Sequence, residues 1–127
     1  FYGVYDFLTR YEQHPNGAVI LGFLKDRVLH ATPEQDPALW DLASPVTQVH
    51  ADAPPFMVVH GSRDSLAPVA DARLFTRRLR ETSRNPVVYV ELQGAEHAFD
   101  IMHSSRTEHA IDGVQRFLEW VRAGRSG

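Results

Sequence analysis

The hydrophobic and polar positions of this chain fall into a few distinct patterns. In "PPFMVVHG" (54–61) a proline pair is followed by an unbroken apolar run that closes on Gly61. A strand with one wet face alternates, so an uninterrupted run of this length reads as a parallel strand covered on both faces. "PVVYVEL" (86–92) reads as the next strand. Between them Val69, Ala72, Phe75 and Leu79 recur at helical spacing opposite Arg73, Arg77, Arg80 and Glu81, which predicts an amphipathic helix over 67–82 with a solvated arginine face. A last helix is expected with Thr107 as its cap, Ile111, Val114, Phe117, Leu118 and Val121 as one stripe, and Gly124 as its end. "FYGVYDF" (1–7) is aromatic-rich and predicts a short strand running into a loop.

Between Leu8 and Ser44 the pattern turns irregular and polar, with "GAVILGFLKDRVL" (17–29) helical and "TPEQDPALW" (32–40) turn-rich. This region reads as an excursion from a core that spans 54–124. Strand, helix, strand and helix with short joins imply an α/β fold with right-handed crossovers and a parallel sheet. No internal repeat or low-complexity segment is present.

Composition narrows the classes. At 127 residues, 43% apolar and 23% charged, the chain suits one ordinary domain with a small core. A net charge of -3 gives no electrostatic case for nucleic acid, and the arginines follow a helical period rather than an interleaved basic and aromatic surface. With no cysteine, disulfides, thiolate zinc sites and a cysteine nucleophile are excluded, and the compartment stays open, the cytoplasm being the default. No apolar run approaches the roughly 18 residues a transmembrane segment needs. The first residue, Phe1, is not a start methionine, so a fragment is expected.

In open parallel sheets ligands bind beyond the carboxyl ends of the strands. Two loops fill that place: "SRDSLAP" after the first buried strand and "QGAEHAF" after the second. Asp64 and His97 are thereby expected at one rim of the sheet, facing each other. A carboxylate bonded to one imidazole nitrogen fixes the tautomer and stabilises the imidazolium, leaving the other nitrogen to take a proton from a nucleophile.

"HGSRDSLAPV" followed by "GAEHAF" resembles the carboxyl-terminal part of an α/β-hydrolase, with Asp64 matching the family's triad acid and His97 its base. The order of nucleophile, acid and histidine agrees. "FYGVYDF", "LASPVTQVHADAPPFMVVHG" and "GAEHAFDI" narrow the resemblance to the esterase and lipase branch related to hormone-sensitive lipase and to actinobacterial carboxylesterases. The resemblance implies the carboxyl-terminal half of that fold, with mostly parallel strands, flanking helices and a helical cap excursion at 8–44. It implies a serine carboxylesterase, small-molecule ester substrates and no cofactor. Prolyl-oligopeptidase-type peptidases share the same short elements, so a serine peptidase is a neighbouring reading. A non-catalytic interaction module derived from a hydrolase is the reading from a different class.

The departures matter as much. No G-x-S-x-G occurs, and the family's oxyanion loop of the HGGG type is absent. The resemblance puts both elements upstream, so this chain by itself is expected to be inactive. Ser62 and Ser65 flank Asp64 as turn and capping residues rather than nucleophiles. The missing amino-terminal half, or self-association, is expected to cover the open edge of the first strand. His60 is expected to be structural packing. His97, Asp100 and His103 have nitrogen and oxygen ligands for a metal but lack a fourth. His14, His30, His50 and His109 are expected to face solvent. Phe23, Leu24, Val28 and Trp40 either line an acyl pocket or pack a small cap.

Overall fold

The computed structural model describes residues 1–7 and 16–124. The expected position of His14 and the start of the 8–44 excursion lie outside the described residues. The elements run α1 (Gly17–Phe23), a π-helical turn (Leu24–Leu29), α2 (Pro37–Ala43), β1 (Phe56–Gly61), α3 (Val69–Thr82), β2 (Val87–Leu92) and α4 (Ser105–Gly124). The strands β1 and β2 pair in parallel, from Phe56 opposite Val87 to Gly61 opposite Leu92. Because the ladder is in register at its carboxyl end, the loops that leave Gly61 and Leu92 start side by side.

β1 is the buried strand. Val58, Val59, His60 and Gly61 are all inaccessible, as its unbroken apolar text requires. The core joins Val58 to Ala72, Phe75 and Leu79 of α3 and to Val46 and Ala53 of the segment before β1. Tyr5 stacks on Phe75, with ring centroids 4.8 Å apart. The opposite face of α3 carries its arginines. Arg73 bonds Glu91 through two nitrogens at 2.6 and 2.8 Å, and with the Tyr89 hydroxyl it holds the Glu91 carboxyl down at about 2.

Three elements differ from their sequence expectations. Residues 1–7 form no strand. The backbone N–H of Tyr2 donates to Val59 O at 3.0 Å, but Tyr2 itself has φ 31° beside Gly3, and a left-handed residue cannot continue a ladder. The turn-rich stretch contains α2, started by Asp36, whose side chain accepts from Leu39 N at 2.9 Å, with Pro37 pre-set for the first helical turn. The last helix begins before Thr107. Ser104 Oγ accepts from the Thr107 N–H at 3.2 Å, so Ser104 is the cap and Thr107 lies buried in the first turn.

A second small cluster holds the excursion together. Leu24 and Trp40 are buried among Val4, Phe7, Ile20, Leu21 and Leu29. The Trp40 indole donates to Ala31 O at 3.1 Å. Phe23 and Val28 point to solvent. Of the four apolar residues, two are packing and two are exposed.

Candidate active site

The two strand-end loops are laced together by their backbones. Ser62 N donates to Leu92 O at 3.0 Å, Arg63 N to Ala95 O at 3.0 Å, and Gly94 N to Ser62 Oγ at 2.8 Å. Gly61 is what allows this approach, because a Cβ at that position would lie 2.4 Å from Ala95 O. Ser62 therefore fastens one loop to the other. Ser65 meets the excursion, its carbonyl accepting from Asn16 Nδ2 at 3.0 Å.

Asp64 and His97 meet where these loops meet. His97 Nδ1 lies 3.0 Å from both carboxylate oxygens of Asp64. The Asp64 side chain is fully buried, whereas that of His97 is 27% exposed. Asp64 Oδ1 also accepts from Leu66 N at 2.9 Å and Ala67 N at 2.7 Å. On the inner side His60, wholly inaccessible, places Nε2 2.9 Å from Ala67 O and 3.3 Å from Asp64 Oδ2.

The electrostatics follow from these bonds. Burial pushes the Asp64 carboxyl up, but hydrogen bonds from His60, from the Ala67 and Leu66 N–H groups and from His97 outweigh it and bring the group down to about 2. Asp64 is thus a carboxylate throughout the neutral range. With Nδ1 of His97 committed to Asp64, Nε2 is the nitrogen able to exchange a proton with a reacting group.

Two further residues attend His97. The Tyr2 ring lies 4.6 Å from the imidazole, centroid to centroid, and its hydroxyl donates to Asp100 Oδ1 at 2.7 Å. That bond to a carboxylate raises the Tyr2 phenol. Asp100 therefore serves Tyr2, and His103 is exposed beside Glu108 at 3.1 Å. Among the described residues no group of three or more His, Asp or Glu side chains is placed to hold a metal. His30, His50 and His109 are exposed.

Sequence reasoning missed His60, Tyr2 and Asp100 as neighbours of the pair. The one local signal for His60 was its place at a strand end, four residues before Asp64; nothing local marked Tyr2.

Known proteins resemble this chain in sequence and in fold. The chain is 46% identical over 125 residues to the probable carboxylic ester hydrolase LipM of Mycobacterium tuberculosis, covering 97% of this chain and 28% of that protein. It is 41% identical to the esterase LipC of the same organism, covering 98% of this chain and 30% of that protein. The chain thus spans less than a third of the length of these curated relatives. Among solved structures, a propionate-bound thermophilic esterase from the Planctomycetes species Thermogutta terrifontis superposes with a TM-score of 0.65 at 21% identity, over 93% of this chain and 40% of that one. This likeness establishes the fold as part of an α/β-hydrolase, in agreement with its carboxyl-terminal part. No helix among the described residues is long and apolar enough to cross a membrane. The BD-FAE family model matches residues 1–79, more than half of the sequence, and the chain accordingly belongs to the BD-FAE family.

Proposed function

We propose that this chain supplies the acid and the base of a serine carboxylesterase whose nucleophile and oxyanion hole lie upstream in the whole protein. The observation that carries the reading is the buried Asp64 carboxylate held against Nδ1 of the partly exposed His97. A serine hydroxyl is a weak nucleophile until a base accepts its proton as it attacks the ester carbonyl. His97 Nε2 takes that proton and later gives it to the departing alkoxide. Asp64 keeps the proton on Nδ1, so that Nε2 starts free, and offsets the positive charge that develops on the ring. The names of the curated relatives support an ester rather than a peptide substrate.

The test uses full-length protein and short-chain p-nitrophenyl esters. His97→Ala is expected to lower kcat by roughly 10⁴- to 10⁶-fold. Hydrolysis at the wild-type rate would end the assignment. The 127-residue chain, assayed by itself, is expected to take up no fluorophosphonate label, and covalent labelling of it would place a nucleophile in the present sequence.

A further inference from the structure

His60 is a costly choice for a residue that only packs. It sits in β1 with no accessible surface, and among the described residues its Nδ1 has no hydrogen-bond partner. A buried polar nitrogen left without a partner is a penalty that an apolar side chain would avoid. Its other nitrogen faces two acceptors, Ala67 O at 2.9 Å and Asp64 Oδ2 at 3.3 Å. The surroundings therefore select the tautomer with hydrogen on Nε2.

The two oxygens of Asp64 are held differently. Oδ1 accepts from the Leu66 and Ala67 N–H groups, whereas the donors to Oδ2 among the described residues are His97 and His60. Held by Oδ1 and His97 alone, the carboxylate could swing about its Cβ–Cγ bond. Resting on the catalytic reading above, we propose that His60 is a positioning residue whose Nε2–H, shared between Ala67 O and Asp64 Oδ2, steadies that oxygen so that the carboxylate presents both oxygens to His97. The β1 strand fixes the ring, and Tyr5 walls it, with ring centroids 5.9 Å apart. Among the described residues, the titratable groups around the pair are His60 and Tyr5 on the core side, and Tyr2 with Asp100 on the open side.

Two amide variants of the full-length protein separate this role from packing. In His60→Gln the amide nitrogen reaches the position of Nε2, whereas in His60→Asn it reaches only that of Nδ1. With p-nitrophenyl acetate, His60→Gln is expected to keep kcat within about threefold of wild type and His60→Asn to lower it about tenfold or more at unchanged KM. In an Asp64→Asn background, His60→Asn is expected to cause no further loss, because the carboxylate it positions is gone. Equal kcat values for the two variants, or a full multiplicative loss in the double variant, would overturn the role. If His60→Asn does not accumulate as folded protein, His60→Gln decides. Retained kcat supports the proposal, and about a tenfold loss at unchanged Tm refutes it. Activity that survives Asp64→Asn or His97→Ala would instead remove the underlying triad reading, an outcome distinct from failure at His60.

Discussion

Replacing Asp64 by asparagine should produce a stability defect that depends on pH in a specific way. The carboxyl stands at about 2 in the folded chain against an ordinary value of 3.8. Each unit corresponds to 1.36 kcal/mol, so the ionised carboxylate contributes about 2 kcal/mol. The folded value lies below the unfolded one. The contribution is therefore complete above about pH 4 and is lost as pH falls through about 2. Asparagine can still accept from the Leu66 and Ala67 N–H groups, but its amide nitrogen takes the place of Oδ2 and confronts hydrogens on His60 Nε2 and His97 Nδ1. His97 can turn to solvent; His60, fully enclosed, cannot. Urea unfolding followed by circular dichroism, repeated from pH 7 to pH 2, is expected to show the variant about 2 kcal/mol less stable at pH 5 to 7 and the gap closing between pH 4 and 2. Glu91 titrates in the same window, but it is common to both proteins and cancels in the difference. A gap that stays constant across the acid range would refute the reasoning, because it would arise from shape rather than charge.

Gly61→Ala is expected to cost about 2 kcal/mol or more, since the new Cβ would lie 2.4 Å from Ala95 O and force the acid and histidine loops apart. A thermal melt within about a degree of wild type would contradict this. Trp40→Ala is expected to cost about 3–5 kcal/mol and Phe23→Ala less than about 0.5, because one ring is wholly buried and the other points to solvent. Equal losses in chemical denaturation would show that the excursion packs differently. Ile111, Leu118 and Trp120 of α4 and Ile101 and Met102 after His97 are exposed, so the isolated chain is expected to self-associate. A monodisperse 14.4 kDa species in sizing with light scattering would contradict that.

The elements legible in the sequence were those whose pattern is set locally and repeated. β1 was readable because a strand covered on both faces has an unbroken apolar run, β2 because its β-branched and aromatic text favours a strand even though it is only partly buried, and α3 because Val69, Ala72, Phe75 and Leu79 keep a helical period. The aromatic text of 1–7 carries β propensity too, yet propensity becomes a strand only where a ladder forms, and Tyr2 at φ 31° prevents one. α2 was missed although its signal was local, an aspartate cap followed by proline, because the surrounding turn formers masked it. Thr107 was misread for a tertiary reason. Its hydroxyl bonds the carbonyls of Phe99 and Met102, both at 3.1 Å, tying the start of α4 back to the histidine loop, while Ser104 does the capping.

The candidate site divides along the same line. Asp64 and His97 could be paired from sequence because a parallel ladder in register brings the loops after its strands to one rim, and no knowledge of side-chain packing is needed for that step. His60 and Tyr2 approach the pair through contacts that no periodicity encodes: one across the interior of β1, the other from residues nearly a hundred positions away. Gly61 lies between these cases. A glycine closing a strand is expected for a turn, yet the backbone at 61 is part of β1 and the demand for glycine comes from Ala95 O across the site. The residue that looked like punctuation is the one that lets the proposed acid and base come within bonding distance.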